Sequence, residues 1–537
     1  VAWLVEGNTI GFEIGAYNTA TPLTIDPVVV LWSRADLGSY IYSCATDTNG
    51  NVFASGSLVS NLSIATTGAH QTTFGGGNND AFLVKFNSSG VKQWGTYYGG
   101  SSTDLGQSCA TDNNGNVYLA GGTTSTSGIS TAAAHKTAYS GGSAGGIDAF
   151  LIKFNGSGVR QWGTYYGGQS AEENISCAVD NTGNVFLSGM TRSNEYGNAG
   201  ISSSGAHQEN SNGGLVDLFL VKFNSNGVRQ WGTYYGGYGY VYNSWGYSGS
   251  DRGGFCQTDN DGNVYLVGST RSTTSIATST SHKSSFSAYN WLDLDAFLVK
   301  FNSNGVRQWG TYYGSSSPDI ANSCATDNNG NVFLAGYTLS QSGIATTGAY
   351  QTTHGGGSKD AFLVKFNSSG VRQWGTYYGG TSADIGDACA TDSSSNVLLT
   401  GHGDSPSDGV FLIKLDSTGG VYWSNNFGAG NPKELGASTA VFGDKIIYLG
   451  FKGGSNTLNK IADCDSFNIS IDSTDVSCYV GNDGQALAIT TGGTSPYAYA
   501  WSTGDTLDSL SSLAAGLYTV TATDIIGCEV IDSVIIN

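Results

Sequence analysis

The sequence is poor in proline, methionine and charged side chains. Of 537 residues only 6 are proline, 1 is methionine and 12% are charged, about half the usual charged fraction. No run of 18 apolar residues occurs, which excludes a membrane-spanning helix of ordinary length. Lys and Arg total 22 against 41 Asp and Glu, so a net charge of −19 argues against a nucleic-acid partner. Residues 1–6 lack the basic start of a signal peptide, so an exported chain would be a mature product or a fragment.

Glycine and aromatic residues are abundant instead. The chain has 80 glycines, about twice the usual share, and 12% aromatic and 39% hydrophobic residues. Aromatic residues spread evenly among Gly, Asn, Ser and Thr are typical of many short strands joined by turns, not of a disordered chain. The length predicts two or more domains.

Seven copies of one repeat run along the chain. The phrase Gln-Trp-Gly-Thr-Tyr-Tyr-Gly occurs five times with two degenerate copies, and the seven tryptophans are Trp32, Trp94, Trp162, Trp231, Trp309, Trp374 and Trp423. A phrase related to Ser-Cys-Ala-Thr-Asp places Cys44, Cys109, Cys177, Cys256, Cys324, Cys389 and, without cysteine, Thr439. A third phrase, Asp-Ala-Phe-Leu-Val-Lys-Phe or a variant, begins at Asp80, Asp148, Asp217, Asp295, Asp360 and Asp408. A repeat of this length predicts propeller blades or an array.

Each repeat predicts four antiparallel strands. The cysteine strand turns through Asn-Asn-Gly, as at 113–115, into a second strand, and a variable loop leads to a third, nearly continuously apolar strand that should be covered on both faces. The tryptophan strand is the fourth. The seventh copy has no fourth strand after residue 461, whereas residues 27–33 form an orphan fourth strand at the N-terminus. The sequence therefore predicts an all-β fold: a seven-bladed β-propeller closed by an N-terminal strand, followed by a small Ig-like β-sandwich.

These repeats resemble the SBBP family of propeller repeats in bacterial surface proteins, over residues 26–463. Residues 1–25 look like the tail of a preceding domain or an N-terminal extension. Residues 464–537 contain Gly-Gly-Thr-Ser-Pro-Tyr at 492–497 and Ala-Gly-Leu-Tyr-Thr-Val-Thr at 515–521, and they resemble the SprB-type repeat, an Ig-like β-sandwich of gliding-bacterial surface adhesins. The resemblance implies a Bacteroidota cell-surface or secreted protein, exported by a type IX route and forming part of a longer chain or assembly.

The cysteines fall into two groups. The six repeated cysteines occupy one equivalent strand position, which favours small buried residues at a crowded hub over disulfides or metal ligands. Cys478 and Cys528 bracket the C-terminal domain, so we expect a disulfide between them that stabilises a small core, with Cys464 left over.

Motifs for catalysis or for a cofactor are weak. Turns such as Asp112–Asn116 faintly resemble calcium loops but lack the further carboxylates of such loops, so structural calcium is conceivable but unsupported and we expect no cofactor, no metal site and no catalytic residues. Four histidines recur in one loop phrase, which favours a structural role: His70, His135, His207 and His282.

One sector breaks the repeat. The distance from tryptophan to the next cysteine is 15 residues in four repeats, but 25 from Trp231 to Cys256. The insertion and the loops predicted to lie beside it supply aromatic and arginine side chains suited to sugar rings, anionic groups or a protein surface. The candidate ligand-binding residues are Tyr238, Tyr240, Tyr242, Trp245, Tyr247, Trp291, Arg192, Arg252 and Arg271. Alternatively, the insertion packs on itself or against an adjoining domain.

The sequence favours a non-catalytic structural or interaction module of an extracellular adhesin or filament-like protein. Its partners would be other surface proteins or extracellular polysaccharide, with no nucleic acid and no membrane span. A lectin-like propeller that binds glycans through its loop face is the alternative, and a polysaccharide-active enzyme is a third possibility.

Overall fold

The chain divides into two compact units in the computed structural model, residues 30–461 and residues 1–29 with 462–537. The structure describes residues 2–6, 9–13, 29–37, 40–141, 146–193, 200–212, 216–238, 250–287, 293–403, 409–427, 438–442, 445–452, 455–462, 464, 467–478, 481–525 and 527–537. All regular structure in these residues is β, and no helix among them is long and apolar enough to cross a membrane.

The strands of the larger unit form four-stranded antiparallel sheets. The N-terminal β1 (Ala2–Glu6) and β2 (Thr9–Glu13) pair with each other, and β3 (Val29–Arg34) follows. The first sheet has β4 (Tyr40–Thr46), β5 (Val52–Leu58), β6 (Asp80–Phe86) and β7 (Lys92–Tyr98); the second has β8 (Asp104–Thr111), β9 (Val117–Thr123), β10 (Asp148–Phe154) and β11 (Arg160–Tyr166). The third has β12 (Glu172–Val179), β13 (Val185–Thr191), β14 (Asp217–Phe223) and β15 (Arg229–Tyr235); the fourth has β16 (Asp251–Thr258), β17 (Val264–Thr270), β18 (Asp295–Phe301) and β19 (Arg307–Tyr313).

The remaining sheets of this unit follow the same order, except at the end. The fifth has β20 (Asp319–Thr326), β21 (Val332–Thr338), β22 (Asp360–Phe366) and β23 (Arg372–Tyr378); the sixth has β24 (Asp384–Thr391), β25 (Val397–Gly403), β26 (Val410–Leu415) and β27 (Val421–Phe427). The seventh has β28 (Thr439–Phe442), β29 (Lys445–Lys452) and β30 (Ser455–Ala462), with β3 as its fourth strand. The described residues thus hold seven such sheets, and the strand before the first sheet belongs to the last one.

Local sequence explains the pattern within a sheet. The third strand, such as β10, is buried along its whole length, as its continuous apolar sequence predicts. The first hairpin turns at Gly115 (φ +73°), whose N–H donates to the Asp112 carbonyl at 3.0 Å. The Asp112 carboxylate also accepts the N–H groups of Asn114 and Asn116, at 3.0 and 2.9 Å, and fixes the turn.

Neighbouring sheets are joined by a repeated hydrogen bond at their first strands. The N–H of Cys109 donates to Ser43 Oγ in the preceding sheet at 3.2 Å, and the N–H of Cys177 donates to Ser108 Oγ at 3.1 Å. Cys44 in the first sheet makes the same bond, at 3.1 Å, to Ser438 beside β28. Accordingly β28 lies against both β24 and β4.

A second repeated contact joins the outer parts of the sheets, and we call it the Trp–Lys staple. The indole N–H of Trp94 and the ammonium of Lys85 both donate to the Gly156 carbonyl, at 3.0 and 3.1 Å, in the turn before the fourth strand of the next sheet. Other tryptophans that make the same bond are Trp162, Trp231, Trp309 and Trp374. Trp32 and Lys460 of the seventh sheet make it to the Ser88 carbonyl of the first, at 3.3 and 2.9 Å.

The C-terminal residues form two three-stranded sheets around a separate core. One sheet contains β31 (Asn468–Thr474), β32 (Gly484–Thr491) and β34 (Ser509–Leu513), and the other contains β33 (Ala498–Trp501), β35 (Gly516–Thr523) and β36 (Glu529–Ile536). Trp501, Val520 and Ile536 are buried between them. Six strands in two facing sheets make a small β-sandwich.

The expected Cys478–Cys528 disulfide is wrong. Cys528 bonds to Cys464, with Cα atoms 5.5 Å apart, whereas Cys478 is a free, exposed thiol. Cys464 and Cys528 are both buried, at 6% and 1% exposure, so they meet inside the unit, while Cys478 lies at its surface. The cross-link therefore ties the segment that enters the sandwich to the start of its last strand.

Candidate functional site

The first strands of the seven sheets surround a cavity of about 680 Å³. Its wall consists mainly of small side chains, among them Ser43, Cys109, Ala178 and Thr391. A cavity of this size is in the range that small ligands occupy in proteins.

Each first strand of the first six sheets carries a β-bulge just before its cysteine. In the second sheet the register shifts between Gly106 and Ser108, which leaves Gln107 as the extra residue. A bulge re-aims its side chain and is common beside functional sites. Six residues in such bulges lie on the cavity wall, one of which is the apolar Ile175. We call the other five, which carry polar groups, the bulge belt: Tyr42, Gln107, Asn174, Asn322 and Asp387.

The bulge belt was not predicted, although the sequence carries a signal for it. Four of the belt residues lie two places before the cysteine, where the residue differs from repeat to repeat, and Asn174 lies three places before Cys177. Two belt side chains connect neighbouring sheets: Gln107 Oε1 accepts the Ile175 N–H at 3.1 Å, and Asn322 Nδ2 donates to the Gly386 carbonyl at 2.9 Å. Part of the belt is therefore structural.

Asp387 is the one charged side chain among the described residues of the cavity wall. Its carboxylate lies 2.5 Å from Nδ1 of His402, and both side chains are largely buried, at 11% and 14% exposure. Burial raises the pKa of Asp387, and His402 opposes that shift. The pair can hold an imidazole in one orientation and present a polar group to the cavity.

The cavity thiols are poor nucleophiles. All six repeated cysteines are free and buried. Burial raises the pKa of Cys109 to about 11 and that of Cys389 to about 12, with weak opposition from neighbouring serine hydroxyls. Since the thiolate is the reactive form, these residues act as small buried side chains at neutral pH.

The recurring loop histidines lie between aromatic rings. His135 lies 6.2 Å from the Tyr166 ring and 5.7 Å from the Phe223 ring of the next sheet, and His207 and His282 repeat the arrangement. Burial lowers the pKa of His135 to about 4, so the ring is neutral near pH 7. These contacts are structural ones between sheets.

The structure describes only part of the sector that breaks the repeat. Tyr240, Tyr242, Trp245, Tyr247 and Trp291 lie outside the described residues. Tyr238 is 58% exposed, and its carbonyl accepts the Thr273 N–H at 2.8 Å. Burial is the main cause that lowers the pKa of Arg271, and the nearby positive charge of Arg252 lowers it further.

The third candidate arginine has a carboxylate partner. Arg192 Nη2 lies 3.4 Å from Glu173 Oε2 in a half-exposed ion pair. The structure thus describes Tyr238 and three arginines on the third and fourth sheets or in their loops.

The turns that faintly resemble calcium loops have other partners. The Asp112 carboxylate holds its own turn, and Lys153 Nζ lies 3.6 Å from Asp112 Oδ2. The described residues contain no group of three or more His, Cys, Asp or Glu side chains placed to hold a metal ion.

Comparisons with solved structures and curated proteins give distant matches. A protein of unknown function from Dyadobacter fermentans has 10% identity and a TM-score of 0.39, covering 81% of this chain and 98% of its own. A Hadza microbial sialidase has 10% identity and a TM-score of 0.36, covering 82% and 96%. Because both TM-scores are below 0.5, neither similarity identifies a fold or a function.

An uncharacterized WD repeat-containing protein of Acanthamoeba polyphaga mimivirus is 23% identical over 360 residues, which cover 60% of this chain. The chain spans 26% of the length of that curated relative.

Two family models match the chain. The SBBP beta-propeller repeat matches residues 93–128 and 308–343, and the SprB repeat matches residues 470–506. The first two segments each begin in the tryptophan strand of one sheet and run through the first two strands of the next. The third covers most of β31 through β33 in the sandwich. The chain therefore contains SBBP β-propeller repeats and, near its C-terminus, a SprB repeat.

Proposed function

We propose that residues 30–461 form a closed seven-bladed propeller that serves as a non-catalytic structural or interaction module of an extracellular surface protein. The observation that carries the proposal is the Trp–Lys staple from the seventh sheet to the first, in which Trp32 and Lys460 bind the Ser88 carbonyl. The Cys44–Ser438 bond supports closure independently. Radial closure protects the strand edges that would otherwise pair with other chains.

The use of the repeated polar residues supports a non-catalytic role. The lysines make the staples and the ion pairs to turn aspartates, such as Lys153 with Asp112. The thiols are buried and protonated, and the loop histidines pack between rings. Because these residues make the same structural contacts in each repeat, they are not available to carry out a reaction at one site.

Two features support an extracellular location. SprB repeats are typical of surface proteins, and the Cys464–Cys528 disulfide is of a kind that persists in oxidising compartments. We propose an adhesin or a filament-like protein, with other surface proteins or extracellular polysaccharide as partners.

Binding of the labelled full chain to intact cells tests the interaction role. If the chain recognises surface proteins, we expect its binding to be lost after protease treatment of the cells and to survive periodate oxidation of their glycans. The reverse pattern would favour a lectin. Depolymerisation of an extracellular polysaccharide by the purified chain would contradict the non-catalytic role.

Glycan binding is the second candidate, and it is favoured by the exposed Tyr238 together with three arginines on the third and fourth sheets or in their loops. Sugar rings pack on aromatic faces, and arginine binds carboxylate or sulfate groups through paired hydrogen bonds. We propose that the site comprises Tyr238, Tyr240, Tyr242, Trp245, Tyr247, Trp291, Arg192, Arg252 and Arg271.

For this candidate, we expect the combined change Tyr238→Ala, Trp245→Ala and Trp291→Ala to weaken binding on a glycan array by about tenfold or more. The melting temperature should stay unchanged because loop side chains contribute little to the sheets. Tyr350→Ala is the matched control, since Tyr350 is similarly exposed (52%) in the loop of another repeat. Equal glycan binding by the folded triple variant would exclude this sector as the site.

A further inference from the structure

Five equivalent pairs of acidic side chains lie between neighbouring sheets, and all of their members except the half-buried Asp384 are buried. In each pair, the aspartate that opens a third strand faces an acid of the next sheet's first strand, near the glycine that follows the fourth strand. The pairs are Asp80–Asp104, Asp148–Glu172, Asp217–Asp251, Asp295–Asp319 and Asp360–Asp384. Each third-strand aspartate has one buried oxygen without a hydrogen-bond partner among the described residues.

Two of the pairs carry a lysine. Lys136 Nζ lies 3.1 Å from Asp148 Oδ2 and 2.6 Å from the Gly167 carbonyl oxygen. Lys283 Nζ lies 2.9 Å from Asp295 Oδ2 and 2.8 Å from the Gly314 carbonyl oxygen. In these two sites the space between the aspartate and the glycine carbonyl therefore holds a positive charge.

The other three pairs have glutamine at the lysine position: Gln71, Gln208 and Gln351. Gln71 and Gln351 donate to their aspartates, at 3.3 and 3.2 Å, and His354 lies 3.4 Å from Asp360. The Oε1 of Gln208 accepts the Gly236 N–H at 3.2 Å, a bond that Gln71 and Gln351 also make to their glycines. Gln208 differs in its Nε2, which is buried and has no partner in the described part of the chain. Asp217 thus lacks the hydrogen bond from a glutamine side chain that Asp80 and Asp360 accept.

The Asp217–Asp251 pair converges on one point. A Cβ on Gly236 would lie 2.4 Å from Asp217 Oδ1 and 2.6 Å from Asp251 Oδ2, so both oxygens border the space beside this glycine. Both aspartates have 0% exposure, and Asp217 Oδ1 is the oxygen without a partner. Two buried carboxylates facing each other are costly unless a cation or a proton joins them.

The donors around the pair are neutral, and one of them, Asn212 Nδ2, donates to the Gly236 carbonyl oxygen at 3.4 Å. Asp217 Oδ2 accepts the Asn212 N–H at 2.9 Å, and Asp251 accepts the Gly237 N–H at 3.2 Å and the hydroxyls of Thr270 and Ser272. Among the described residues, no lysine, arginine or histidine makes an ion pair with either carboxylate. Burial raises the pKa of Asp217 to about 7, and burial together with the charge of Asp217 raises the pKa of Asp251 well above its usual value.

We propose that Asp217 and Asp251 bind a divalent cation of the calcium class, and that Lys136 and Lys283 replace such an ion in the two sister sites. Asp217 Oδ1, Asp251 Oδ2 and the Gly236 carbonyl oxygen are its protein ligands, because the Gly167 and Gly314 carbonyls contact the ammonium groups at the equivalent place. Carboxylate and carbonyl oxygens suit a hard cation, and water completes its coordination.

Calcium titration of the chelator-treated full chain tests the site. We expect saturating Ca²⁺ to raise the melting temperature of residues 30–461 by about 5 °C, since a ligand that binds only the folded state stabilises it. The variant Gln208→Lys should melt above wild type in chelator and lose the Ca²⁺ response of this site. Lys136→Gln, the converse change in the sister site, should increase the response to Ca²⁺.

Equilibrium dialysis with radioactive Ca²⁺ tests binding directly. Because it can be done on the wild-type chain alone, the proposal can still be tested if a variant fails to fold. Wild type should bind at least one ion that Asp217→Asn and Gln208→Lys do not bind. The proposal is overturned if wild type binds no Ca²⁺ at millimolar concentration, or if folded Asp217→Asn binds as much as wild type. A calcium-independent melting temperature that falls between pH 4 and pH 7 would mean that the pair shares a proton instead.

Discussion

Deleting residues 1–34 should lower the melting temperature of the larger unit by about 10 °C and make the protein aggregate. The deletion removes β3, and with it the ladder hydrogen bonds to β30 and the Trp32 bond to Ser88. Each such bond has a net worth of about 1 kcal/mol, and the uncovered β30 becomes an edge that can pair with other chains. Differential scanning calorimetry and size-exclusion chromatography measure the two effects.

Deletion of residues 1–28 is the matched control, because it leaves β3 in place. That variant should have the same melting temperature as the larger unit in the full chain, and it should remain monomeric. A 1–34 deletion that behaves like the control would show that β3 does not stabilise the seventh sheet.

Cys528→Ser should destabilise the C-terminal sandwich by about 4 kcal/mol, the chain-entropy value for a cross-link spanning 64 residues. A small sandwich has little stability in reserve, so this loss is a large part of the total. Hydrogen exchange of the β32 and β35 amides measures the free energy of opening in the full chain.

Cys478→Ser is the control for the disulfide, because Cys478 is a free, exposed thiol. It should leave exchange in the sandwich unchanged. Peptide mapping without reduction should also recover Cys464 joined to Cys528, and a Cys478–Cys528 peptide would contradict the pairing.

Much of the larger unit could be predicted from its repeats. The apolar third strands and the Asn-Gly turns mark hairpins through local chemistry, so the four-stranded sheets follow from the sequence. Even the degenerate seventh repeat forms its third strand, β30. The first strands are longer than the cysteine phrase indicates: β8 starts at Asp104, whose side chain accepts hydrogen bonds from Thr123 at the end of β9 and from Ser125 just after it.

Contacts between distant segments could not be predicted in the same way. The Cys464–Cys528 bond was not predicted, because the distance between these residues depends on how the chain enters the sandwich, which spacing does not reveal. The Asp217–Asp251 pair joins two repeats, so neither phrase alone shows two facing carboxylates. The positions of the bulge belt depend on strand register. The repeat phrase shows only that one position varies, and it does not show that a bulge turns that side chain toward the cavity.

An experimental density map of residues 30–461, from a crystal or by cryo-electron microscopy, tests the closed ring most directly. We expect seven four-stranded blades around one channel, with the Trp32 ring against Gly90. Glycine is required there, because its φ is +76° and a Cβ would approach that ring to 2.8 Å. A gap between the seventh sheet and the first, or β3 paired elsewhere than with β30, would contradict the closed ring.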